Sequence, residues 1–175
     1  MNETLKLLEQ RRSIRAYQKE QITDVQLEVI LQAGIWAPSA KNQQSPVIVA
    51  AQDPDTVAEL SRLNAQVMGA QSDPFYGAPT VLVVLADPKA TNEINGVCDG
   101  ALVMGNLMNA AWSLGIGSCW INRAREVFQL PEGKALLAKW GLPEDLVGVG
   151  NCILGYPAGD APAPKERREG RIVRI

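Results

Sequence analysis

The chain has 175 residues, of which 46% are hydrophobic, enough to bury one core and too few to predict a second domain. With 17 Lys and Arg against 19 Asp and Glu, the net charge of -2 excludes the overall positive field that recruits nucleic acid or anionic membrane. The chain contains no histidine, which removes Ser-His-Asp and Cys-His nucleophilic catalysis, histidine metal sites and the usual neutral-pH acid or base.

Leu5, Leu7 and Leu8 predict a short opening helix that ends near the run Arg11-Arg12-Ser13-Ile14-Arg15. Glu3 and Glu9 interrupt this N-terminus, which does not resemble a secretory signal. The basic run offers a receptor for a phosphate-bearing, oxygen-rich ligand, and equally fits a solvated basic turn. Next, Thr23-Asp24-Val25-Gln26 reads as a capping box, and Leu27, Ile30, Leu31 and Ile35 repeat on one helical face. Because the residue before a proline avoids the helical conformation, this second helix should stop at Ala37-Pro38 and leave Ser39-Ala40-Lys41-Asn42 as a loop.

Pro46 to Ala51 reads as a short strand, Asp55 to Met68 as an amphipathic helix, and Asp73-Pro74-Phe75-Tyr76 as a loop with exposed aromatics. The turn Gly77-Ala78-Pro79 precedes a strong strand, Thr80 to Ala86. The longest helical pattern runs from Asn95 to Leu114 and is apolar on several faces, so it should be buried centrally or at a subunit interface. Gly115-Ile116-Gly117 stops it, and Ser118 to Ile121 reads as a strand. Lys134 to Trp140 predicts a brief helix, and Leu146 to Leu154 a glycine-punctuated strand. Beyond Pro157 the composition turns Ala/Pro-rich and then basic, so 158–175 should form an extended arm without a core of its own.

Strands and helices do not alternate regularly, which argues for an α+β arrangement of helices around a modest sheet. The Leu114 to Ser118 stretch supplies only two glycines of a dinucleotide fingerprint, and it follows a helix instead of a strand, so a Rossmann domain is disfavoured. Cys98, Cys119 and Cys152 lack CxxC spacing and sit in apolar segments, where buried thiols are expected. Together with the lack of a bilayer-spanning apolar run, this predicts a reducing, cytoplasmic setting.

Taken in order, Arg11-Arg12-Ser13-Ile14-Arg15, Ala37-Pro38-Ser39-Ala40-Lys41-Asn42, Gly77-Ala78-Pro79, Asp99 with Asn106-Leu107, Leu114 to Ile121, Leu154-Gly155-Tyr156-Pro157 and Lys165-Glu166-Arg167 resemble the FMN-dependent nitroreductase family. The resemblance covers nearly the whole chain. It implies an α+β sandwich with a mostly antiparallel sheet flanked by helices and an intertwined homodimer. It also implies two FMN sites at the interface, each built from both subunits, and a ping-pong cycle driven by NADH or NADPH.

The resemblance further implies cofactor contacts at Arg11, Arg12, Ser13, Arg15, Pro38, Ser39, Asn42, Gln44, Trp120, Ile121, Lys165 and Arg167. Arg11, Lys165 and Arg167 would meet the phosphate, and Ser13 the ribityl or flavin edge. Arg15 would sit near the pyrimidine end, where reduction places negative charge that a fixed guanidinium stabilises. Pro38, Ser39, Asn42 and Gln44 would reach the flavin from the partner subunit, although Gln44-Ser45-Pro46 departs from the family's usual Gln-Pro-Trp. Trp120 and Ile121 would line the ring, with Asn122 beside them. No metal and no protein nucleophile are required, since the flavin N5 carries the hydride. The implied activity is reduction of small electrophiles such as nitroaromatics, quinones or activated enones. An FMN storage or redox-sensing module and a flavin-consuming offshoot remain as alternatives.

Overall fold

The uninterrupted apolar run Thr80–Ala86 becomes the middle of the molecule, in a computed structural model that describes residues 2–175. A strand with no polar face must be covered on both sides. The order of elements is α1 (Glu3–Gln10), α2 (Asp24–Ile35), a short 3-10 turn (Ala40–Asn42), β1 (Pro46–Ala51), α3 (Pro54–Met68) and β2 (Thr80–Ala86). There follow α4 (Glu93–Ser113), β3 (Gly117–Ile121), α5 (Ala124–Gln129), α6 (Pro131–Lys139) and β4 (Val147–Gly155).

The four strands form one sheet in the order β1-β2-β4-β3, antiparallel throughout. Val83 sits opposite Val49 on one side and Asn151 on the other, and a bulge between Val84 and Leu85 shifts the pairing with β4. Alternation along β2 divides the core. Val81, Val83 and Leu85 pack with Leu60, Leu63, Phe128 and Leu137 from α3, α5 and α6. Leu82 and Val84 pack with Ile30 of α2 and Met104, Leu107 and Ala111 of α4. The expected α+β sandwich is therefore present, with the last-in-sequence strand β4 inserted beside β2 and β3 left at the sheet edge.

The helix boundaries follow from local chemistry. Thr23 Oγ1 accepts from Gln26 N–H at 3.2 Å while Gln26 Oε1 accepts from Thr23 N–H at 3.0 Å, so the predicted capping box forms. Asp53 accepts from Thr56 N–H at 2.9 Å and starts α3. Three expectations fail. Phe75 is buried in the core and Tyr76 alone of the two aromatics is exposed, because Asp73 folds the loop inward by accepting from the N–H groups of Phe75 and Gly77. Cys98 is exposed on α4, where it shares an outward stripe with Ile94 and Leu102, while Cys119 and Cys152 are buried as expected. Finally, α5 is an element with no counterpart in the sequence reading. Among the described residues no helix is long and apolar enough to cross a membrane.

Candidate functional site

Residues 11–17 leave α1 as an extended segment that runs beside the edge strand β3. Ile14 N–H donates to the Ser118 carbonyl at 2.9 Å, Ser13 and Ser118 form a parallel bridge, and Tyr17 pairs with Pro157. Extended backbone sends successive side chains to opposite sides. Ile14 is accordingly buried and Arg15 exposed, and residues 13–16 together line a cavity of about 340 Å³ with Gly159, Asp160 and Pro162. The Tyr17 hydroxyl donates to the Ile14 carbonyl at 2.6 Å and fixes the segment from below. Burial, reinforced by Cys119 and Cys152, pushes the Tyr17 pKa well up, so it stays a neutral donor.

This segment and β3 carry three unpaired polar atoms. Among the described residues, Arg11 Nη1, Ser118 Oγ and Trp120 Nε1 are each buried without a hydrogen-bond partner. Ser118 and Trp120 are two residues apart on β3 and therefore share a face. The Trp120 indole nitrogen lies against Gly150, where an added Cβ would come within 2.7 Å of it. A buried, unpartnered guanidinium N–H is costly, and each such group calls for a ligand or water. This donor set fits an anionic, oxygen-rich cofactor such as a flavin nucleotide. Opposite Trp120 on β4, burial pushes the Cys152 thiol up, with Cys119 acting in the same direction and Arg11 against it. That thiol is a packing group.

The other predicted cations form a second group. Arg12 Nη1 donates to the carbonyls of Glu9 and Arg11, both at 2.7 Å, and so closes the end of α1. Arg12, Lys165 and Arg167 together line a cleft of about 760 Å³ beside Leu8 and Glu9. The arm thus brings Lys165 and Arg167 to the same cleft as Arg12.

Pro38, Ser39, Asn42 and Gln44 line neither of these cavities. Their loop is tightly shaped: Lys41, Asn42 and Gln44 have φ of 52°, 54° and 51°. Such left-handed conformations are unusual for residues other than glycine. Ser39 Oγ accepts from Gln44 N–H at 2.9 Å, and Asn42 Oδ1 accepts from Gln44 Nε2 at 3.2 Å. Behind the loop, buried Asp99 of α4 accepts from Ala40 N–H at 2.9 Å and from the Ser45 hydroxyl at 3.2 Å.

At the far end of β3 the predicted pair separates. Trp120 faces the α2/α4 side, half-buried, whereas Ile121 packs into the opposite core, which leaves only its backbone for a ligand. Asn122 is exposed, and its carbonyl accepts from Asn64 Nδ2 at 2.8 Å. Asn64 is fully buried with its Oδ1 unpaired, and Arg123 has φ of 77°. Asn64 and Arg123 are absent from the sequence-derived site. The available signal was a lone polar residue on an otherwise apolar face of α3, beside Leu60 and Leu63. A larger cavity of about 1000 Å³ between α3 and residues 70–79 contains none of the predicted site residues and none of the unpaired buried atoms, so size does not mark the site here.

The nitroreductase family model matches residues 8–71 and 62–156. A protein of Archaeoglobus fulgidus, provisionally named an NADH dehydrogenase/NAD(P)H nitroreductase, is 38% identical over 160 residues, covering 90% of this chain and 87% of its own. An FMN reductase (NAD(P)H) of Bacillus subtilis is 31% identical over 95% of this chain and 70% of its own. Among solved structures, a nitroreductase with bound FMN from Bacteroides fragilis superposes with a TM-score of 0.90 at 31% identity, covering 100% of both chains.

Proposed function

The chain belongs to the nitroreductase family, and from that membership we propose that it is an FMN-dependent NAD(P)H oxidoreductase working as a homodimer on small electrophiles such as nitroaromatics, quinones or activated enones. The observation that carries the reading is that Arg11 Nη1, on the segment that pairs with β3, and Ser118 Oγ and Trp120 Nε1, on β3 itself, are buried with no hydrogen-bond partner among the described residues. FMN, when bound, supplies the centre that takes hydride from the nicotinamide and passes it to the acceptor in separate half-reactions.

The protein's part is to bind, orient and supply charge. Arg11 holds the phosphate through charge-assisted hydrogen bonds, and Arg12, Lys165 and Arg167 add positive charge at the same end. Ser13 meets the ribityl or ring edge. Arg15, on the same side of the extended segment, places a fixed cation at the pyrimidine end, where negative charge accumulates on two-electron reduction. Trp120 and the backbone of Ile121 and Asn122 form one wall. The second wall, Pro38, Ser39, Asn42 and Gln44, comes from the partner subunit.

Two features support the dimer. The 38–44 loop lines neither cavity at the arginine segment, and large apolar side chains are exposed on α1 (Leu5, Leu8), α2 (Val25, Val29, Ile35) and α4 (Ile94, Leu102), with Trp36 at the end of α2. The free thiols fit a reducing, cytoplasmic compartment. The whole chain then acts as one FMN-binding domain with 158–175 as its arm.

Initial-rate kinetics with NADH or NADPH against a panel of nitroaromatics and quinones test the catalytic assignment. Parallel double-reciprocal lines are expected. Intersecting lines contradict the two-stroke cycle, and FMN binding without turnover makes the protein a flavin carrier.

A further inference from the structure

We propose that Asp99 is a positioning residue for a flavin site that it does not touch, acting through Ala40 and Ser45 to lock the loop that reaches the partner subunit's flavin. The inference rests on the dimeric flavoprotein reading above. Asp99 lies in the interior of α4 and is 3% exposed. A carboxyl group at such a site needs strong partners, and it has two, one at each end of the same loop. Its Oδ1 accepts from Ala40 N–H at 2.9 Å, where the loop begins its turn. Its Oδ2 accepts from Ser45 Oγ at 3.2 Å, where the loop enters β1. Ser45, itself 1% exposed, is held a second time because its carbonyl accepts from Asp87 N–H at 2.9 Å.

Between these anchors lie Lys41, Asn42 and Gln44, all at positive φ. Residues other than glycine persist in that region only when their surroundings over-determine them. The contacts within the loop, Ser39 to Gln44 and Asn42 to Gln44, sit among exposed or half-buried residues where water competes. The buried anchor is Asp99. A helix facing the core of one subunit therefore sets the shape of a wall belonging to the other subunit's site. Position 45 is also where the chain departs from the family's usual proline, and only a residue with a side-chain donor completes the clamp.

The consequence is an effect across the interface. Releasing the clamp leaves Arg11, Ser13 and Arg15 in place and loosens the opposite wall, so flavin affinity and ring environment change while the chain stays folded. The experiment compares wild type with Asp99→Ala, Asp99→Asn and Ser45→Ala as purified apo-dimers, reading FMN Kd, the flavin midpoint potential, near-UV dichroism of bound flavin and thermal melting. Asp99→Ala is expected to weaken FMN binding at least tenfold with altered flavin dichroism. Asp99→Asn, which retains an acceptor for Ala40, and Ser45→Ala should fall between it and wild type. A mixed dimer of one Asp99→Ala chain and one Arg11→Ala chain should contain one site of wild-type affinity, because the two defects fall on the same site.

Variants that melt lower but bind FMN with wild-type Kd, potential and dichroism overturn the proposal, as does a mixed dimer in which both sites are weakened. If Asp99→Ala does not fold, Ser45→Ala decides by the same readings. Wild-type protein that takes up no FMN overturns the flavoprotein reading itself, a result distinct from variants that bind as wild type does.

Discussion

Arg11 is the charged member of the unpaired set in the candidate site, since its buried Nη1 finds no acceptor among the described residues. Hydrogen bonds to a charged group contribute about 1.5–3 kcal/mol, so Arg11→Ala should weaken FMN binding roughly tenfold to a hundredfold in a fluorescence titration. Arg15→Ala should act differently, because Arg15 is exposed and its proposed role is to stabilise charge that develops on reduction: its main effect belongs on the rate of flavin reduction. Equal FMN affinity for Arg11→Ala and wild type would remove that side chain from the phosphate end. The arginine run and Ser13 stood out as candidates because three cations and a hydroxyl cluster within five residues, a local feature of the sequence. Asn64, Asp99 and Arg123 were less so, because their importance lies in what tertiary structure brings to them: a strand-end carbonyl for Asn64, two loop anchors for Asp99, a left-handed backbone for Arg123.

Among the elements, α2 could be read in advance from its cap, α3 from its amphipathic pattern, and β2 from its unbroken apolar run. The helix α5 could not. It has six residues, begins directly after Arg123 at positive φ, and is too short to show a 3.6-residue period. Its existence depends on packing against α6, and Gly133 makes that packing possible: a Cβ there would run into the Val127 carbonyl and the Phe128 backbone. Two effects compete in Gly133→Ala. Alanine gains up to about 1 kcal/mol in helix propensity, while overpacking typically costs about 1–3 kcal/mol. The clash is with backbone that has no rotamer to change, so overpacking should win and chemical denaturation should show a less stable protein. An unchanged or raised midpoint would mean that α5 and α6 are less tightly docked. At this scale the mistaken exposure of Phe75 has the same origin, since Asp73 turns that loop inward through contacts that no sequence period records.

At the scale of the whole molecule, the proposed site has two parts: Arg11, Ser13 and Arg15 on the segment beside β3, and the Asp99-anchored 38–44 loop, which lines neither cavity at that segment. The proposed dimer joins them, and the exposed apolar faces of α1, α2 and α4 supply a surface for it. The arm is the other long-range part. Residues 158–175 are exposed along their length and contribute nothing to either core cluster. Ending the chain after Pro157 should therefore preserve the far-ultraviolet dichroism spectrum while lowering FMN affinity through loss of Lys165 and Arg167. Global unfolding of the truncated chain would show instead that the arm is part of the core structure. The most direct test of the central claim is an anaerobic titration of the FMN-loaded protein with NADH and with NADPH, followed by addition of a quinone or nitroaromatic. The account predicts stoichiometric FMN uptake, bleaching of the flavin absorbance by at least one nicotinamide, and its return on adding the acceptor; protein that binds no FMN, or whose bound flavin neither nicotinamide reduces, would contradict it.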